Sequence, residues 1–152
     1  MRVLVSKDLK ELREEKTAVL DADQLFQELD TKMATLEEVK AAKDAQLVYL
    51  CDFSIRQGFI SKALGTAHTY PSDMEAQANL QSSIKRLENE PSKEVVIFKT
   101  MEAGFLPHTL EQLRQVLNDG FDHGENMIIR RELLRTQVEQ AKNVQEVVSI
   151  VW

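Results

Sequence analysis

Three histidines and one cysteine, His68, His108, His123 and Cys51, are the side chains of this 152-residue sequence best suited to chemistry. His123 has Asp119, Asp122 and Glu125 close by in sequence, donors that could ligate a divalent metal. The same carboxylates equally suit a polar break between helices, and neither an HExxH nor a His-x-His pair occurs. His108 directly precedes Thr109, with no nucleophile marked beside it. Its expected role is to stack or hydrogen-bond at a helix entry rather than to act as a general base. Cys51 sits in an apolar helical stretch, where a free cysteine behaves as a small buried hydrophobe, and no family signature pairs it with a histidine. Asp21, Asp23, Glu28 and Asp30 have a calcium-loop flavour, but the central glycine and the closing glutamate are missing. The helix macrodipole accounts for Asp21 and Asp23 more simply. Arg130, Arg131 and Arg135 form a basic cluster that Glu132 and Glu139 dilute, without the interleaved aromatics of a nucleic-acid groove. No catalytic, cofactor-binding or metal-ligating residue is assigned, no cofactor is expected, and the chain is read as non-enzymatic.

Composition supports that restraint. Hydrophobic residues make up 43% of the chain, which fits a globular protein and argues against disorder. The net charge is −6, shared equally by residues 1–57 and 58–152 at −3 each, so no basic arm or acidic tail appears and nucleic acid is not an expected partner. The mixed-sign run from Lys7 to Lys16 reads as a solvated helix face. No apolar run reaches the length of a membrane span. Met-Arg-Val-Leu-Val-Ser at the start lacks the apolar stretch and cleavage site of a secretory leader. A single cysteine excludes an internal disulfide and a thiolate zinc site.

The elements follow from punctuation. No glycine or proline precedes Gly58, so residues 1–57 read as helical, with helices near 6–15, 21–31 and 36–56. Thr35 and Glu38 fit a capping box at the start of the third. Behind it Val39, Ala42, Tyr49 and Phe53 share a helical stripe, widened by Leu36, Leu47 and Leu50, while Lys43 and Gln46 interrupt a clean heptad. That stripe makes Val39, Ala42, Tyr49 and Phe53 the candidate partner-binding residues. Residues 58–63 and 66–70 read as a β-hairpin turning at Leu64-Gly65. Ser72 with Glu75 reads as a second capping box. It opens a helix bearing Met74, Leu80, Ile84 and Leu87, which ends before Pro91. Glu94–Lys99 is a β-branched strand, and Ala103-Gly104-Phe105 a loop or tight return stopped by Pro107.

Thr109 with Gln112 makes a third box, followed by the stripe Leu110, Leu113, Leu117 and Phe121. Gly120 and Gly124 then kink one long helix or divide it in two, and Met127, Leu134, Val138 and Ala141 resume the pattern. Asn143 caps a last helix near 144–150, bringing Val147, Ile150 and Trp152 onto the body. The fold class is α+β: a helical N-terminal segment, 1–57, followed by a small domain, 58–152, with a hairpin, one further short strand and packed helices.

From Phe59 onward several short motifs carry a likeness. Gly58-Phe59-Ile60-Ser61-Lys62-Ala63-Leu64-Gly65 leads to Tyr70-Pro71-Ser72-Asp73, with Gln77, Asn79 and Leu80 beyond. His108-Thr109, Gln112-Leu113 and Val116 follow, and then Ala141, Val147, Ile150 and Trp152. This order resembles a domain-of-unknown-function family of tailed bacteriophages and prophages, often encoded near tail-fibre genes, over about residues 53–152. The resemblance implies a small α+β domain with a tail role and transfers no catalytic residue. It implies protein–protein contacts with a phage tail or tail-fibre protein, as a tail-fibre assembly chaperone or a minor component of the virion. It leaves a homo-oligomer open. The implied location is the host bacterial cytoplasm during assembly, or the virion tail. The alternatives are a small regulatory or nucleic-acid-binding phage protein and, further off, a metal-dependent enzyme.

Overall fold

The computed structural model describes residues 35–152. The helices expected near 6–15 and 21–31, the run Lys7–Lys16 and the acidic group Asp21–Asp30 lie outside them. The described elements are α1 (Leu36–Arg56), β1 (Phe59–Ser61), β2 (His68–Tyr70), α2 (Met74–Asn89), β3 (Val96–Thr100), β4 (Gly104–His108), α3 (Leu110–Gln140) and α4 (Val144–Ser149). Helices with two antiparallel hairpins, β1–β2 and β3–β4, make the class α+β. None of the described helices is long and apolar enough to cross a membrane. The described chain divides into two compact units, residues 35–52 with 128–152, and residues 53–127.

The first unit is helical and aliphatic. Its interior is Val39, Ala42 and Leu47 from α1, Val138 and Ala141 at the end of α3, and Val147 and Ile150 around α4. Thr35 and Glu38 satisfy one another's backbone N–H groups at 3.2 Å each, the reciprocal box the spacing predicts. Asn143 Oδ1 accepts from Glu146 N–H at 2.9 Å, and Glu146 reaches back to the Lys142 N–H at 2.6 Å. Trp152 packs against the aliphatic cluster, as expected. The Arg130 guanidinium carbon lies 5.0 Å from its ring centre, within cation–π range. Arg135 forms an ion pair with Asp44, and Lys40 Nζ donates to the Glu139 carbonyl at 2.9 Å.

The second unit packs both hairpins and α2 around rings. Phe59, Tyr70, Leu80, Ile84, Leu87, Val96, Phe98, Leu113 and Val116 form its interior. Tyr70 stacks with Phe59 and Phe98, at ring-centre distances of 5.9 and 6.3 Å and inclinations of 22° and 21°. The β1–β2 register sets Phe59 opposite Tyr70 and Ser61 opposite His68. Gly58, at φ +96°, precedes it. A Cβ there would sit 2.7 Å from the Tyr70 carbonyl oxygen, so only glycine fits.

Several expectations need correction here. The cap of α2 is Asp73, whose Oδ1 accepts from Ala76 N–H at 2.9 Å, not Ser72. Ser72 is drawn instead into tertiary bonds, its hydroxyl donating to the Ile55 carbonyl and accepting from Gly58 N–H at 3.1 Å. Met74, placed on the apolar stripe of α2, is 87% exposed. Ala103-Gly104-Phe105, read as a loop or tight return stopped by Pro107, instead lead into the strand β4, which runs through Pro107 to His108. Every strand of a two-stranded ribbon is an edge strand, where proline is tolerated; Pro107 stands opposite Ile97. Of the two arrangements expected for the last long segment, two helices in series is the one ruled out: α3 is a single helix of 31 residues through both glycines. A Cβ on Gly120 would approach the Phe59 ring to 2.9 Å, so this glycine admits a close helix–ring contact.

Candidate docking surface on the second hairpin

β3 reads Val-Ile-Phe-Lys-Thr, and the alternation of a strand sends Val96, Phe98 and Thr100 inward. Ile97 and Lys99 point outward. In β4 the residues opposite them are Pro107 and Phe105. Directly opposed residues share a face, so Ile97, Lys99, Phe105 and Pro107 make one outer surface. Ile97 is 66% and Phe105 68% exposed. Beside this face runs a groove of about 810 Å³, walled by Val95–Lys99 and Phe105 on one side and by Asp73, Glu75, Ala76, Asn79, Ser83 and Arg86 around α2 on the other. Exposed apolar surface rimmed by polar groups is the usual mark of an interaction site.

A second depression of about 690 Å³ lies along β1 and α3, lined by Lys62, Asp119, Asp122, His123 and neighbours. Among the described residues no three His, Cys, Asp or Glu side chains converge on a point that could hold a metal ion. His123 is held by the Ser54 carbonyl, 3.2 Å from Nε2, and lies 6.4 Å from the Phe59 ring centre.

His108 is fully buried at the end of β4. Nδ1 lies 2.8 Å from the Leu106 carbonyl and Nε2 lies 2.8 Å from the Tyr70 hydroxyl. With Nδ1 donating to the carbonyl, Nε2 accepts from Tyr70, and the neutral ring is satisfied at both ends. Burial lowers the His108 pKa from the usual imidazole value, partly offset by the Leu106 carbonyl. Burial, with Glu102 and Asp119 adding to it, pushes Tyr70 up to about 12. The pair locks β2 to β4 and is a structural bond. His68, in β2, meets Thr66 Oγ1 at 3.1 Å. Glu102, pulled low first by a hydrogen bond to the Thr69 side chain and then by the Thr69 N–H, which lies 3.0 and 2.9 Å from its two oxygens, ties the turn after β3 to β2. Cys51 is buried and free, its thiol pushed up by burial against the opposing pull of Arg131.

The four residues assigned to a partner are placed inside the chain. Val39 and Ala42 lie in the aliphatic cluster with Val138 and Val147, Tyr49 is buried, and Phe53 is half-buried. Val39 and Ala42 pack within the first unit against residues about 100 positions further on. The basic cluster is likewise occupied: Arg135 by Asp44 and Glu132, Arg131 by Glu132, and Arg130 by the Trp152 ring.

A family model for a domain of unknown function, DUF4376, matches residues 38–151. The chain belongs to this family. No curated protein and no solved structure matches it. The DUF4376 match starts fifteen residues before the likeness read from the motifs, so nearly all of α1 falls inside the domain. It also takes in the outer face of the β3–β4 hairpin and its groove. Sequence reasoning missed Ile97 and Phe105. The available signal was the run Val95-Val96-Ile97-Phe98, which puts apolar side chains on both faces of a short strand.

Proposed function

We propose that this DUF4376 chain is a non-enzymatic tailed-bacteriophage protein that acts through protein–protein contacts in tail or tail-fibre assembly. It serves either as an assembly chaperone, working in the host cytoplasm, or as a minor component kept in the virion tail. The motif order of residues 53–152 supports the phage association. The observation that carries the binding role is the outer hairpin face, where Ile97 and Phe105 expose their side chains beside Lys99 and Pro107. We place the partner contact on this exposed face rather than on Val39, Ala42 and Tyr49, which are buried, and Phe53, which is half-buried.

Mass spectrometry of particles of the encoding phage or induced prophage, beside the lysate, tests the reading. Stoichiometric chain in purified particles identifies a tail component. Chain confined to the lysate and co-purifying with a tail or fibre protein identifies a chaperone. Absence from particles together with failure to co-purify with any tail protein overturns the proposal.

A further inference from the structure

The groove beside the hairpin exposes backbone as well as side chains. In a two-stranded antiparallel ribbon, alternate residues turn N–H and C=O toward the partner strand, and the rest turn them away. β4 covers one side of β3, and among the described strands none pairs with the other. Val95–Lys99 line the groove. Just past β3, Met101 N–H donates to the Thr69 carbonyl at 2.8 Å, closing that end. The five residues of β3 span about 17 Å at strand rise, a template for one short added strand.

The walls select what can lie there. Arg86, Lys93 and Lys99 line the groove with Asp73 and Glu75, so cations outnumber carboxylates in a chain of net −6. Asp73 is already engaged as the cap of α2, and Arg86 lies 3.6 Å from Glu90. A second copy of this chain, pairing edge to edge, would bring the same lysines against these. An acidic strand meets them with opposite charge.

We propose that an extended, acidic segment of a partner protein adds as a strand along the free edge of β3. Its backbone pairs with β3, its carboxylates lie on the outer face beside Lys99 and toward Lys93, and its alternate apolar side chains turn to the opposite face of the strand. This rests on the protein–protein reading above and names the chemistry of the partner.

The test uses the full chain, isotope-labelled for NMR, titrated with a synthetic peptide of alternating valine and glutamate and with its valine–lysine twin. The valine–glutamate peptide is expected to shift the amides of Val95–Lys99 saturably, and salt to weaken it. The double variant Lys93→Glu, Lys99→Glu should weaken binding at least about tenfold at unchanged thermal midpoint. Ile97→Ala, at an exposed site, provides a second variant with the same expectation in smaller measure. Equal effects of the two peptides, no shift at millimolar acidic peptide, shifts confined to other residues, or a concentration-dependent dimer that moves the same amides would each overturn the inference. Presence of the chain in particles without peptide binding would defeat this inference and leave the functional reading standing. Peptide binding without any tail association would do the reverse.

Discussion

Residues 35–52 and 128–152 bury Val39, Leu47, Val138 and Val147 among aliphatic neighbours, whereas residues 53–127 bury Phe59, Tyr70, Phe98 and His108 among one another. The aliphatic cluster of the first is held by burial, which is non-directional; Lys43 and Gln46 are buried in the same unit, and the bonds of Arg135 to Asp44 and of Lys40 to the Glu139 carbonyl lie nearer its surface. The second contains the buried, directed Tyr70–His108 bond and the part-buried Ser72 ties, with the Glu102 bonds at its surface. Short strands explain the difference. Three-residue β1 and β2 offer few ladder bonds, so side-chain bonds must fix how the hairpins meet. The long helices α1 and α3 satisfy their own backbones and need only an apolar stripe.

The largest expected effects test whether both interiors are close-packed. Leu47→Ala in the first and Leu113→Ala in the second should each cost about 2–5 kcal/mol in denaturant unfolding. Leu47→Met should cost less than about 1.5 kcal/mol. Tyr70→Phe probes the directed bond: it removes one oxygen and leaves His108 Nε2 buried without a donor, at an expected cost of about 1–3 kcal/mol. If Tyr70→Phe proves neutral, the contrast between the two interiors collapses.

The same pair predicts a pH signature. The folded His108 pKa lies below the ordinary 6.5, so below that pH the unfolded chain takes up a proton that the folded chain refuses. Stability should therefore fall as pH drops from 6.5 until the folded ring protonates, and this slope should vanish in His108→Gln. At the other extreme Tyr70 ionises near 10 unfolded and about 12 folded. Stability should fall again between those values, and Tyr70→Phe should lack that loss. Thermal midpoints across the pH range check both.

Two glycines of α3 sharpen the comparison at about 1 kcal/mol. Gly124→Ala meets nothing within 4 Å and should stabilise by about 0.4–1 kcal/mol through helix propensity. Gly120→Ala drives a Cβ against the buried Phe59 ring and should destabilise by about 1 kcal/mol despite the same propensity gain. Smallest of all, Asp44→Ala breaks a half-exposed pair with Arg135 and should cost under about 1 kcal/mol.

What the sequence makes legible is local. The boxes Thr35–Glu38 and Thr109–Gln112 and the Asn143 cap involve residues three apart, and the structure forms all three. That Asp73 and not Ser72 caps α2 was not legible, because the bonds that claim the Ser72 hydroxyl involve Ile55 and Gly58, more than ten residues back. β4 was hidden because Pro107 looks like a stop and its partner Ile97 lies ten residues back. The stripe on α1 correctly marks residues that must be covered, but periodicity does not say by what. Val138 and Val147, a hundred residues on, pack with Val39, Ala42 and Leu47. The hairpin face went unread for the complementary reason: Ile97 and Phe105 look like core residues, and only the register shows them opposite Pro107 and Lys99 on the outside.

Cys51 turns the aliphatic unit into its own stopwatch. It is the only thiol in the chain, is buried, and is less acidic than a free thiol, so a thiol reagent must wait for the helices around it to part. The labelling rate at increasing reagent concentration then times that opening without any engineered probe. A cysteine introduced at exposed Ile97 would react at once, so one chain could report both the opening of its interior and the occupancy of its hairpin.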